Sequence, residues 1–204
     1  MSLFSYENLI DPILKNIRQY TPVFASMKAG DRVLDVCCGT GAQVLEYGRS
    51  GIIATGIDLD QTMLDTANKN KAKQALSNIS FCLADAISLP FDDNTFDYVS
   101  ISLGLHDKEP EIRNKIVAEM KRVVKKDGSL VLTDFQVPLP NNIWAKFVKT
   151  IEFIAGGSHY RGFKDYMKNE GLKYILEKHQ LVGEKRDYLK SGTITIIKAK
   201  IHSE

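Results

Sequence analysis

Apolar residues along this chain recur with two different periods, and the alternation between the two predicts its elements. Across residues 8–20, Leu9, Ile10, Ile13, Leu14, Ile17 and Tyr20 return at helical spacing, and Pro22 follows as a stop. A turn at Ala29-Gly30-Asp31 leads into "RVLDVCC", a buried-type strand, and a short helix opens at the Gly39–Gly41 turn. "IIATGIDL" (52–59) is a second strand without polar alternation, the pattern of a strand covered on both faces. Asp60 suits the N-cap of a helix reaching about Lys73.

"ISFCLADA" (79–86) and "FDYVSISLGL" (96–105) read as strands three and four. Between 109 and 125, Ile112, Ile116, Val117, Met120, Val123 and Val124 form a helical stripe, with Lys115, Glu119, Lys121 and Lys125 on the polar face. Asp127-Gly128 is expected to end that helix, and "SLVLTDF" is a fifth strand. Strands alternating with helices predict βαβ units, a mostly parallel sheet and the α/β class. The pattern then changes: 138–178 reads as two or three helices broken at Gly156-Gly157. "LVGEKRDYLK" and "TITIIKAKI", joined by Ser191-Gly192, read as a closing antiparallel hairpin. Without repeats, low-complexity tracts or linkers, the 204 residues are expected to form a single domain.

Composition narrows the function classes. Apolar residues make up 44 % and charged residues 25 %, which argues against disorder. With 27 Lys plus Arg against 25 Asp plus Glu, a net charge of +2 does not suggest nucleic acid or an anionic membrane as partner. The N-terminal twenty residues lack a signal-peptide pattern, and no apolar stretch nears the ~20 residues a membrane-spanning helix needs. Three cysteines in such a chain imply a cytoplasmic setting and free thiols.

The candidate chemistry sits in "RVLDVCCGTG", where either the cysteines or the glycine turn could be the functional element. A strand that ends in a glycine turn and enters a helix presents backbone N–H groups at the positive end of the helix dipole. Gly39 and Gly41 allow a ligand close to the backbone. A dinucleotide fingerprint needs a third small residue, and Val44 stands there; no Gly-Lys-Ser/Thr follows to make a P-loop. Asp58 ends the next strand about twenty residues on, where a carboxylate can accept from both hydroxyls of a ribose, and Asp85 ends the third. Three successive strand ends offering ligand groups predict a nucleoside site.

"VLDVCCGTG", "GIDLDQTML", "CLADAISLPFDDNTFDYVSISLGLH" and "MKRVVKKDGSLVLTDF" together resemble the successive motifs of class I S-adenosylmethionine-dependent methyltransferases, nearest to the ubiquinone/menaquinone-biosynthesis type. The resemblance covers about residues 28–136, with Cys37 standing where the family has its first glycine. It implies a Rossmann-like doubly wound sheet of order 3-2-1-4-5-7-6, strand seven antiparallel, with a helical cap inserted between strands 5 and 6. The expected divisions are an N-terminal helical cap (1–27), a cofactor-binding core (28–136), a helical acceptor-side cap (137–180) and a C-terminal hairpin (181–204).

It further implies that Asp35 helps hold the methionyl end of the cofactor, with Gly39, Thr40 and Gly41 as its floor. Asp58 takes the ribose, Leu59 and Met63 border the adenine, and Asp85 meets the adenine amino group beside Ala86. Ser102 and Leu103 line the cofactor near its sulfur. The cofactor would be S-adenosylmethionine and the product S-adenosylhomocysteine. In that strand order Cys37 and Cys82 lie two strand spacings apart, roughly 9–10 Å, too far to share a metal or form a disulfide. The cysteines then read as small buried hydrophobes, with a thiophilic role such as arsenite binding as the alternative, and no metal site is expected.

On the acceptor side, methyl transfer gains chiefly from alignment and exclusion of water, and a base is needed only if the nucleophile must lose a proton. His106 in "GLHDKE", and His159 and Tyr160 in "GGSHYRGF", are the candidate catalytic residues; each also has a purely structural reading. Arg161 could hold a carboxylate or phosphate, or make a surface ion pair. Residues 138–178, a fifth of the chain, hold 7 of the 18 aromatic residues (Trp144, Phe147, Phe153, Tyr160, Phe163, Tyr166 and Tyr174), which suits an apolar lid or the core of a small helical cap. The expectation is a methyltransferase for a small, hydrophobic or aromatic acceptor, monomeric or homodimeric. An NAD(P)-dependent oxidoreductase and a noncatalytic nucleoside-binding module are the alternatives.

Overall fold

A computed structural model describes residues 11–202, so Leu9 and Ile10 of the expected first helix lie outside the described residues. Seven strands form one sheet of order β3-β2-β1-β4-β5-β7-β6, and the chain divides at Asp85 and Ala86 into two compact units. The sheet order is the one the family resemblance implies.

The first unit holds α1 (Asp11–Ala25), β1 (Arg32–Val36), α2 (Ala42–Arg49), β2 (Ile53–Asp58), α3 (Gln61–Lys73) and β3 (Ile79–Leu83). Pro22 lies inside α1 instead of stopping it. Proline has no N–H to donate to the Arg18 carbonyl one turn earlier. Gln43 Nε2 from α2 donates to that carbonyl at 3.1 Å, so the helix runs on to Ala25. β1, β2 and β3 pair in parallel, with Val36, Ile57 and Cys82 in register. Asp60 caps α3 as expected, its Oδ1 accepting from Thr62 N at 2.8 Å and Met63 N at 3.4 Å.

In the second unit come β4 (Phe96–Ser102), α4 (Pro110–Val123), β5 (Val124–Phe135), α5 (Ile143–Ala155), α6 (Gly157–Lys168), α7 (Leu172–Lys178), β6 (Leu181–Leu189) and β7 (Ile194–Ile201). Asp127-Gly128 does not end α4, which stops at Val123 and passes straight into β5. The register on β4 jumps instead, Phe96 opposite Val124 and then Tyr98 opposite Ser129, so 125–128 bulge out of the ladder. Gly128 belongs in that bulge because a Cβ there would sit 2.7 Å from Asp97 O.

Leu130, Val131 and Leu132 of β5 are fully buried, as a strand covered on both faces requires. β7 runs antiparallel to both β5 and β6, as the hairpin pattern predicts. Three helices fill 143–178, and the break between α5 and α6 falls at Gly156 and Gly157, both at positive φ. Among the described residues, no helix is long and apolar enough to cross a membrane.

Candidate functional site

At the carboxyl ends of the first unit's strands, backbone donors and carboxylates converge. After β1 the chain turns through Cys37 (φ +57°), Gly39 (φ +52°) and Gly41 (φ +74°), then enters α2. The Asp58 carboxylate closes this turn. Its Oδ2 accepts from Gly39 N at 2.8 Å and its Oδ1 from Asp60 N at 3.0 Å. A carboxylate has about four lone-pair directions, so two remain for diol hydroxyls.

The two glycines serve different ends. A Cβ on Gly39 would meet nothing within 4 Å, whereas one on Gly41 would strike the Phe81 ring at 2.5 Å and Ala67 Cβ at 2.9 Å. Gly39 keeps the turn open to a ligand, and Gly41 lets α2 start against the core. The third small residue that Val44 displaces from the helix is supplied from the strand. A Cβ on Gly56 would lie 2.9 Å from Val44 Cγ2, so the glycine on β2 allows the close helix–strand approach. Asp35 and Thr40 are buried, Met63 and Asp85 are half-buried, and Leu59 and Leu83 stand exposed next to Asp58 and Asp85.

The cysteines are free thiols, all half-buried. Cys38 packs where a Cβ on Gly56 would fall, 2.8 Å from its sulfur. Burial, helped by the nearby Asp35 and Asp58 charges, pushes its thiol well above the usual range, which makes it inert. Cys37 is not the easy stand-in for glycine that its small side chain suggests, because it holds a left-handed backbone that costs roughly 1–2 kcal/mol outside glycine. Leu103, the residue after β4, does the same at φ +53°. Ser102 and Leu103 are half-buried there, and Ala86 is buried.

The second unit gathers charge around His106. Its Nδ1 lies 2.7 Å from Asp134 Oδ1, and the fully buried Asp134 also accepts from the backbone N–H of Leu105, His106 and Phe135 at 2.8–3.1 Å. His106 Nε2 lies 3.5 Å from Glu152 Oε1, and Glu152 Oε2 lies 2.8 Å from His159 Nε2. His159 Nδ1 is 3.4 Å from Asp107 Oδ2. Burial opposes the charged imidazolium of His106, yet Asp134 and then Glu152 hold it up at about 10. Burial likewise favours neutral Glu152, but His106 and His159 hold it down at about 2. His106 is therefore a buried cation clasped by carboxylates, a different setting from an exposed loop base.

Arg113, 2 % exposed, locks this corner. It donates to the Leu105, Lys108 and Gly162 carbonyls and to Asp165, tying the loop after β4 to α6. Arg161 instead sits at the surface, 4.0 Å from Glu109. The Tyr160 ring stacks on Phe163 with centroids 6.3 Å apart. Phe163 and Tyr166 belong to the core, whereas Trp144, Phe147 and Tyr160 are half-buried and Phe153 and Tyr174 exposed.

Sequence reasoning missed Asp134, Glu152 and Arg113. The available signals were an aspartate ending the apolar run "SLVLTDF" and a lone acid in "IWAKFVKTIEFIA".

Comparison with known proteins agrees with the motif order. Residues 33–128 match the family model described as a methyltransferase domain. The demethylmenaquinone methyltransferase of Shouchella clausii is 32% identical over 159 residues, 74% of this chain and 66% of that protein. The demethylmenaquinone methyltransferase of Bacillus subtilis is 36% identical over 128 residues, 61% of this chain and 54% of that protein. The matched region thus spans less than two thirds of either relative. A SAM-dependent methyltransferase from Aquifex aeolicus shares the fold, with a TM-score of 0.65 at 21% identity over 97% of this chain and 93% of that one. With the strand order, the glycine turn and the strand-end carboxylates in place, the chain belongs to the class I S-adenosylmethionine-dependent methyltransferases.

Proposed function

We propose that the protein transfers a methyl group from S-adenosylmethionine to a small, hydrophobic or aromatic acceptor. The observation that carries this reading is the Asp58 carboxylate, held by Gly39 N and Asp60 N beside an open glycine turn. The bound cofactor supplies an electrophilic methyl group on a sulfonium sulfur. Asp58 keeps two acceptor directions for the ribose hydroxyls. Gly39 and Thr40 leave the methionyl end room against the backbone, with Asp35 behind them. Exposed Leu59 and half-buried Met63 offer apolar flanks for the adenine, and Asp85 an acceptor for its amino group. Gly41 contributes by starting α2.

For the acceptor, the half-buried and exposed aromatics of α5 and α6 supply apolar surface, as do Ile143 and Ile154, both more than three-quarters exposed. The names of the curated relatives point to demethylated menaquinone-type rings as the first acceptors to try. His106 and His159 act by position, through the carboxylates that hold them, and Tyr160 borders them as ring surface.

The test is calorimetric titration with S-adenosylmethionine, S-adenosylhomocysteine and NAD, followed by assay for S-adenosylhomocysteine with reduced naphthoquinones and phenols. Binding of the first two ligands, lost in Asp58→Ala, with turnover on ring acceptors is the expected result. Binding of NAD alone would overturn the reading. Cofactor binding without turnover on any acceptor would reduce it to a nucleoside-binding module.

A further inference from the structure

We propose that His106, Glu152 and His159 form a mononuclear site for a divalent transition-metal ion, with a coordination position left for water or an anionic oxygen of a ligand. The three side chains come from the loop after β4, from α5 and from α6, and their donor atoms lie within 4.8 Å of one another. Neighbouring ligands of a tetrahedral ion, each about 2.1 Å from the metal, stand ~3.4 Å apart. The separation of 3.5 Å from His106 Nε2 to Glu152 Oε1 matches that spacing, and the 2.8 Å from Glu152 Oε2 to His159 Nε2, at the exposed edge, is a contact at hydrogen-bond distance that widens to admit the ion.

Three features set this cluster apart from a plain chain of ion pairs. Both histidines turn Nε2 to Glu152 and place Nδ1 on another carboxylate, Asp134 at 2.7 Å and Asp107 at 3.4 Å. That is how proteins fix the tautomer and aim of a metal-ligating imidazole, and an ion at Nε2 would take the place of the proton that His106 carries in the metal-free protein, which is released to solvent. Glu152 is buried, yet its Oε2 receives no well-directed hydrogen bond despite the nearby imidazole. A buried carboxylate oxygen left this way lacks a partner that an ion would supply. Finally, the surroundings are apolar: the His106 ring has Phe135 at 4.5 Å, Phe163 at 6.3 Å and Tyr166 at 6.4 Å between centroids. Access is from one side, where the His159 side chain is 38% exposed against 5% for the other two.

Two imidazoles and one carboxylate suit zinc, iron, cobalt or nickel and not magnesium or calcium, which prefer all-oxygen sites. Lys108, 2.8 Å from Asp107, is the nearby cation that shares the outer carboxylate.

The experiment uses the full chain, stripped by chelator and titrated with Co²⁺ without cofactor or acceptor, so its outcome is independent of the methyltransferase reading. Visible d–d absorption should saturate at one equivalent, be displaced by Zn²⁺ and ignore Mg²⁺. Glu152→Gln, which preserves shape, and His159→Ala, at the exposed edge, should each weaken binding at least ~10-fold, with Asp107→Asn weakening it less. Circular dichroism checks that the variants fold. Absent or unsaturable absorption would overturn the proposal, as would unchanged affinity in both folded ligand variants. An intense near-ultraviolet thiolate band would overturn it by assigning the metal to the cysteines.

Discussion

The two units present polar groups in opposite ways. In the first, Asp58 is half-buried, takes its hydrogen bonds from backbone N–H groups within a few residues of strand ends, and keeps acceptor directions spare. In the second, Asp134 and Glu152 are buried and each holds a histidine side chain, and Asp134 also gathers N–H groups from the loop at Leu105 and His106, far away in sequence. A site of the first kind is stable without its ligand, because water can stand in for it. A site of the second kind is woven into the core, so its charges hold the fold as well as any ligand.

The difference predicts a graded set of outcomes. The largest is Asp134→Ala, which orphans three buried N–H groups and the His106 charge. Removing one partner of a buried pair costs about 3–5 kcal/mol, and the melting temperature should fall by roughly 10 °C in a chain of this size; a drop under about 2 °C would show that the cluster is not woven into the fold. Asp58→Ala comes next and should separate binding from stability. Loss of charge-assisted bonds worth about 1.5–3 kcal/mol should weaken S-adenosylmethionine binding roughly 10–100-fold, while thermal unfolding of the ligand-free protein barely moves. Equal losses in both measurements would erase the contrast between the units.

Smaller still is Cys37→Gly, which relieves the left-handed backbone at φ +57° and should stabilise by about 0.5–1 kcal/mol, read as a rise in denaturation midpoint. A decrease would mean that the thiol packs better than the strain costs. The smallest effect concerns His179, whose pKa is lowered from 6.5 by burial and then by Lys121 and Lys178. Below pH 6.5 the unfolded chain takes up a proton that folded His179 resists, so its contribution is present above 6.5 and lost as pH falls. Stability measured between pH 7 and 5 should decline less steeply in His179→Gln than in the parent.

Legibility in the sequence followed the range of the interactions. Strand runs, the Asp60 cap, the Gly156-Gly157 break and the terminal hairpin rest on spacings of two to four residues, and all stand close to where the pattern puts them. Pro22 and Asp127-Gly128 were misread for one reason: each local signal was overridden by a distant partner, the Gln43 amide in one case and the β4 ladder in the other. The glycine turn and Asp58 were readable because a strand, a turn and a strand end about twenty residues on recur in fixed order. Their division of labour was not, since only packing shows that Gly41 faces Phe81 while Gly39 faces open space.

By itself, then, the sequence determined the α/β alternation, the strand-end carboxylates and the family, because periodicity and motif order are local properties of the chain. The tertiary structure decided what His106 and His159 are. They lie 53 residues apart, and their partners Asp134 and Glu152 look like ordinary acids in apolar runs. Burial strips water from His106, Asp134 and Glu152 and leaves them to one another, with His159 at the exposed edge, and that desolvation has no signature in the order of residues.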